Sequence, residues 1–147
     1  METRLIVAGD APVLAALHVA GFPDAPWSHT QISGSLSLPT TTGLLAYENE
    51  TPLGFILCQM AGDESEILTF CTAPAARRRG IGNALLAQAL HAARAQGIMR
   101  MFLDVAADNA AALALYEKNG FRPIGKRKNY YPRAHGAVDA VMLEKTW

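Results

Sequence analysis

Apolar and polar residues recur along this chain with two different periods, and the switches between them outline its elements. Arg4 to Ala8 is a short β-type run ending at Gly9-Asp10, where Asp10 is placed to cap a helix and Pro12 fits its first turn. Val13, Leu14 and Leu17, with His18 beside them, follow at helical spacing and face inward. Pro23 and Pro26 break the segment from Gly21 to Trp27. Ser28-His29-Thr30-Gln31 then reads as a capping box with Trp27 and Ile32 as a hydrophobic staple, so a second short helix begins at Ser28. From Ser33 to Gly43, Ser, Thr, Gly and Pro predict a loop long enough to border a site.

Leu44 to Glu48, Leu53 to Met60 and Glu66 to Thr72 read as three successive strands, an antiparallel meander. Ile81, Leu85, Leu86, Ala89, Leu90 and Ala93 then mark a long helix that starts near Gly80 and stops at Gln96-Gly97. Met99 to Val105 is the next strand, and the order strand, helix, strand implies a parallel crossover. Asp108 and Asn109 open a helix over Ala110 to Asn119, closed by Gly120 with Phe121 as its apolar contact. Arg122 to Tyr130 and Ala137 to Glu144 form a final hairpin around a Pro132 to Gly136 loop.

Composition narrows the class of protein. The chain has 147 residues, half of them hydrophobic, and no repeat or internal boundary, so residues 1–147 are expected to form one domain with a real core. Thirteen basic and thirteen acidic side chains cancel, which removes any global field for nucleic acid or an anionic membrane. Cys58 and Cys71 lie in apolar runs without C-x-x-C spacing, so they read as buried, reduced core residues, and no metal quartet attends them. No stretch reaches the ~18 apolar residues of a membrane span and no leader is evident, which points to the cytoplasm.

One stretch carries chemistry by itself. In Arg77-Arg78-Arg79-Gly80-Ile81-Gly82, two glycines let the backbone approach a ligand closely, and the helix behind them directs its free N–H groups and positive dipole end at it. Three arginines add donors suited to phosphate, and Asn83 lies in the same first turn. The alternative is a tight turn beside a solvated arginine cluster.

The order of elements, together with R-x-x-G-x-G at the head of the central helix, resembles the GNAT acyltransferase family over essentially the whole chain. Within it the chain is similar to the RimI-type enzymes, which acetylate the N-terminal alanine of a ribosomal protein. The matching strings are Pro26-Trp27-Ser28, Asp108 to Ala112, Ala114 to Glu117, Asn119-Gly120-Phe121 and Asn129 to Pro132. The resemblance implies an α/β fold with a mixed, mostly antiparallel twisted sheet of about seven strands, flanked by about four helices and splayed to receive acetyl-CoA. It further implies that Arg77, Gly80 and Gly82 bind the pyrophosphate, that Phe70-Cys71-Thr72 offer main chain to the pantetheine arm, that Asn109 touches the cofactor, and that Tyr116 protonates the departing thiolate. A neutral tyrosine, with a reference pKa of about 10, can donate that proton at pH 7.

The base departs from the pattern. RimI-type enzymes carry glutamate on the strand after the central helix, and the matching position here is Asp104, one methylene shorter. Alternation puts Asp104 on the opposite face from Leu103 and Val105, where it could reach an amine through a water. Alternatively Asp104 only caps a neighbour or pairs with a cation, and Glu66 is a weaker candidate for the base. An α-amino group, with a pKa near 7.7–8.0, is free base at pH 7 roughly a few hundred-fold more often than lysine at about 10.4, so a weak base limits N-terminal acetylation less.

For the acceptor, the tyrosines of Lys126 to Arg133 border a groove, with Tyr130 and Tyr131 on one side and Trp27 and the Ser33 to Gly43 loop on the other. The same run mixes cations with aromatics and could instead be an RNA-binding or merely solvated hairpin. His18, His29, His91 and His135 lack ligand spacing and read as surface or helix-face residues, and Ser28 reads as a cap and not a nucleophile. The expected reaction is therefore direct acetyl transfer from acetyl-CoA to a protein N-terminus by a monomer or weak dimer. Rival readings are a GNAT enzyme acting on lysine or a small amine, and a non-catalytic acyl-CoA-binding module.

Overall fold

The computed structural model describes residues 1–147. Seven strands make one sheet in the order β1-β2-β3-β4-β5-β7-β6. Strand β1 (Glu2–Leu5) leads into helices α1 (Ala11–Gly21) and α2 (His29–Leu36), then the meander β2 (Thr41–Glu48), β3 (Thr51–Ala61) and β4 (Glu64–Thr72). Helix α3 (Ile81–Ala95) crosses to β5 (Arg100–Ala106), followed by α4 (Ala110–Lys118) and the hairpin β6 (Arg122–Arg133) and β7 (Gly136–Thr146).

All strand pairs are antiparallel except β4 with β5, as the crossover requires. That parallel pair is brief. It runs only from Glu64 opposite Arg100 to Glu66 opposite Phe102, after which the strands part. A bulge starts the parting: Leu57 faces Thr69 and Cys58 faces Ile67, so Leu68 has no partner on β3 and β4 bends away. The other edge of β5 pairs with β7 along its whole length, from Arg100 to Ala106. The slot between β4 and β5 is thus open from Leu68 to Thr72 on one side and from Leu103 to Ala106 on the other.

Two apolar layers cover the sheet. Helices α3 and α4 bury Ile81, Leu85, Leu86, Leu90 and Tyr116 against Ile56, Met101, Leu103 and Val105. Helices α1 and α2 bury Leu14, Leu17 and Ile32 against Leu45, Phe55, Leu57 and Cys71 on the other face. Each large aliphatic removed from water contributes about 1.5–3 kcal/mol, so the stripe on α3 holds that helix, and with it the glycine-rich turn, against the sheet.

Three local expectations change. The Ser33 to Gly43 loop shrinks to residues 37–40, because α2 continues to Leu36 and β2 begins at Thr41. Polar composition misled here: Ser37 Oγ donates to the Gly34 carbonyl and closes the helix end. Asp10 precedes α1 but does not cap it; its carboxylate accepts two bonds from Arg4, at 2.9 and 2.7 Å, and one from Val7 N–H at 2.8 Å. Val13 is exposed, and His18 is buried. The Ser28 capping box forms as expected, with Gln31 N–H donating to Ser28 Oγ and Ser28 N–H to Gln31 Oε1. Both cysteines are free and buried, and burial pushes their thiols up to about 12.

Candidate active site

At one end of the slot, the turn into α3 is wound to face a ligand. Arg78 and Gly80 have φ of 65° and 77°, and this alternation of handedness curls the backbone so that successive N–H groups converge. Gly80 stands at the N-cap without a capping side chain, and its carbonyl accepts from Ala84 N–H at 3.0 Å. The N–H groups of Ile81, Gly82 and Asn83 therefore lack helical acceptors and point out of the helix end. Arg79 is held by Glu48 at 2.9 Å, whereas Arg77 and Arg78 form no ion pair within the chain. Gly82 leaves room toward the slot: a Cβ there would meet Thr72 Oγ1 at 3.5 Å and Phe70 Cζ and Leu115 Cδ2 at 3.6 Å. The Asn83 side chain is engaged elsewhere, accepting from Asn119 Nδ2 at 3.2 Å and joining α3 to α4.

Phe70, Cys71 and Thr72 pair with β3 through Ile56, Phe55 and Gly54, and their other edge faces the slot unpaired. A strand edge of that length accepts an extended amide-bearing ligand by main-chain hydrogen bonds. Convergent N–H groups at one end and a free edge along the side fit the pyrophosphate and pantetheine of an acyl-CoA.

The faces of the slot differ. Leu103 and Val105 point into the α3–α4 core, so Asp104 points to the opposite face, that of α1 and α2. Asp104 Oδ2 accepts from Arg127 Nε at 3.2 Å. Glu66 shares its face. Desolvation raises the Glu66 pKa, the charge of Asp104 raises it further, and Arg127 opposes both. Tyr131 completes the group: burial, then Asp104, push it up to about 12.

Tyr116 lies on the other face, buried and edge-on to Phe70 at 6.1 Å and to Phe121 at 5.5 Å. Burial is the main reason its pKa is raised, with Cys58 and Tyr131 adding to it, and the phenol is fully protonated at neutral pH. Asn109, seven residues earlier, caps α4 by accepting Ala112 N–H at 3.2 Å.

On the carboxylate side, β6 carries a wide bulge between Arg127 and Tyr131, with Asn129 at φ 51° and its N–H donating to Asp139 at 3.0 Å. The bulge turns Tyr131 inward beside Asp104 and leaves Tyr130 52% exposed, stacked edge-on at 5.0 Å. Arg133 forks onto Asp108 with two 3.0 Å bonds, which chiefly raise its pKa, and Asp24 of the α1–α2 loop adds to the shift. That loop and the β6–β7 hairpin therefore approach each other, and Trp27 lies on the loop. His18 bonds both Trp27 and Thr69 here, and on the other face Asn119 ties α4 to α3, roles that sequence alone did not show. A lone histidine gave no spacing signal.

A sheet opened at its single parallel pair, with a phosphate-facing helix N-terminus at the opening, suits an acyl-CoA-dependent transferase. The chain belongs to the acetyltransferase (GNAT) family, whose profile matches residues 14–121. It is 33% identical over 123 residues to the [ribosomal protein bS18]-alanine N-acetyltransferase of Salmonella typhimurium, covering 80% of this chain and 79% of that protein. It is 36% identical over 126 residues to the N-alpha-acetyltransferase RimI of Mycobacterium tuberculosis, covering 83% and 77%. Among solved structures, the ribosomal-protein-S18-alanine N-acetyltransferase of Escherichia coli superimposes with a TM-score of 0.92 at 26% identity, over 99% of this chain and 94% of that one. Acetyl-CoA is the co-substrate.

Proposed function

We propose that this enzyme moves the acetyl group of acetyl-CoA directly to the N-terminal amine, alanine-like, of a ribosomal protein. The observation that carries the reading is the two-faced slot: carboxylates and the half-buried Tyr131 on one face, a buried neutral phenol on the other, and a free strand edge between them. The relatives named for alanine N-acetylation of bS18 support the acceptor.

The roles follow from position. Backbone N–H groups of Ile81, Gly82 and Asn83, with Arg77 and Arg78, hold the pyrophosphate, and the edge of Phe70, Cys71 and Thr72 aligns the arm, so that the thioester meets the amine by proximity. Asp104 is fixed by Arg127 and, with Glu66 beside it, holds a water through which the amine proton passes to a carboxylate. Burial and the neighbouring charge of Asp104 raise the Glu66 pKa, which makes its carboxylate a better proton acceptor than a free one. Tyr116 supplies the proton to the leaving sulfur, and the burial that raises its pKa keeps that proton in place until a thiolate forms. Trp27, Tyr130 and Tyr131 flank the acceptor. Asn109, as helix cap, fixes the α4 turn past which the arm runs.

A panel of peptides beginning with alanine, serine or methionine, set against N-blocked lysine peptides and polyamines, tests this by mass spectrometry. Acetylation of the alanine peptide is expected. Acetylation confined to blocked lysine peptides or polyamines would refute the acceptor assignment.

A further inference from the structure

The acceptor wall at Trp27 is fastened by a side chain outside the reaction itself. His18, in α1, is 3% exposed, and its ring is packed between Phe22 at 4.6 Å and Trp27 at 5.4 Å. Trp27 N–H donates to His18 Nδ1 at 2.9 Å. A nitrogen that accepts carries no proton, so in the neutral ring the proton is on Nε2, which donates to Thr69 Oγ1 at 3.1 Å. Only this tautomer satisfies both partners.

The partners matter because of where they lie. Thr69 stands at the β4 bulge, where that strand leaves β5 and the slot opens. Trp27 ends a loop in which Pro23 and Pro26 have no N–H to give. Its remaining backbone bonds are Phe22 N–H to the His18 carbonyl at 2.8 Å and Ala25 N–H to the Phe22 carbonyl at 3.3 Å. His18 thus anchors the loop at both ends, by its carbonyl and by its ring. The neighbouring inward residues of α1, Leu14 and Leu17, go into the core, and an apolar residue at 18 would fill the same space without fixing the loop.

We propose that His18 is a positioning residue for the acceptor, registering the Phe22 to Trp27 loop against the β4 bulge so that the wall of the acceptor groove is set before the peptide arrives. This rests on reading that loop as an acceptor wall. The loop then enters binding already ordered, and losing the anchor weakens acceptor binding while acetyl-CoA, held by α3 and the β4 edge, is unaffected.

Two conservative variants separate the bonds. Asparagine at 18 places an oxygen near Nδ1 and keeps the bond from Trp27, whereas glutamine reaches Thr69 and loses Trp27. Steady-state kinetics with an alanine N-terminal peptide, calorimetry with CoA, and hydrogen exchange at the Trp27 amide are measured on parent, His18→Gln, His18→Asn and Thr69→Ser. His18→Gln is expected to raise the peptide KM about tenfold and to speed exchange at Trp27, with CoA affinity unchanged. Thr69→Ser, which keeps the hydroxyl, is expected to retain most of the parent's peptide affinity, and His18→Asn, which keeps the bond from Trp27 but loses the tie to Thr69, to fall between the parent and His18→Gln. Faster exchange at Trp27 with an unchanged peptide KM overturns the proposal, as does a parallel loss of CoA affinity in all three variants. If the parent acetylates only a blocked lysine peptide or a polyamine, the N-terminal assignment fails by itself, and the same KM comparison with that acceptor decides the role of His18.

Discussion

The buried imidazole makes a prediction about stability that is independent of the reaction. Desolvation lowers the pKa of His18 from 6.5 to about 4. Between those values the unfolded chain binds a proton that the folded chain does not, so stability is complete above pH 6.5 and is lost as pH falls toward 4. At about 1.36 kcal/mol per pH unit the full effect is about 3.4 kcal/mol, and about 2 kcal/mol of it is gone at pH 5 relative to pH 7.5. Glu66 acts in the opposite sense: its folded pKa is raised, so protonation on the way down favours the folded state. Asp10, Asp108 and Glu144 have lowered pKa values, so their contributions are lost only at more acid pH. These groups are common to the parent and to His18→Gln, and the difference between the two proteins isolates the histidine. Thermal unfolding by circular dichroism from pH 7.5 to pH 5 should lower the parent's Tm by about 4–8 °C more than the variant's, at about 2–4 °C per kcal/mol for a chain of this size. Parallel curves for the two proteins would show that His18 is not held neutral by burial, and the tautomer assignment would go with it.

Other consequences follow from the slot. Tyr116→Phe keeps the ring between Phe70 and Phe121 and removes the proton donor, so kcat should fall by about 10²–10⁴ with Tm almost unchanged; an unaltered kcat would remove Tyr116 from the reaction. Asp104→Asn removes a like charge beside Glu66 and releases Arg127, and both changes lower the Glu66 pKa, so the acidic limb of kcat/KM should move to lower pH; movement to higher pH contradicts the proton path. Gly82→Ala meets only ordinary contacts and should bind CoA nearly normally, whereas Gly82→Leu projects into Phe70 and Thr72 and should abolish binding by calorimetry; equal affinity would place the arm elsewhere. Leu85→Ala, at a fully buried site under α3, should cost about 2–5 kcal/mol in denaturant unfolding.

The fold was legible wherever local chemistry and burial agreed. The stripe on α3, the Ser28 capping box, Gly120 with φ 90° after α4 and the crossover to β5 all read directly from spacing, because each has a local physical cause. The region from Ser33 to Gly43 did not, since serine and threonine favour loops on average yet were drawn into α2 and β2 by the packing of Ile32 and the pairing of Thr41 with Gln59. Asp10 found a stronger partner in Arg4 than the helix end offered. At the site, the face of Asp104 followed from alternation, but its bond to Arg127 depends on β7 lying between β5 and β6, a long-range order that no local pattern encodes. The bonding role of His18 was hidden for the same reason: its partners lie 9 and 51 residues away.

Transfer to an N-terminal amine is tested most directly on one molecule that offers both choices. A peptide with a free N-terminal alanine and an internal lysine is incubated with enzyme and acetyl-CoA, and tandem mass spectrometry locates the acetyl group. The slot described here predicts that the label falls on the alanine nitrogen, with the lysine unmodified at early times. Label on the lysine while the alanine amine remains free would contradict it.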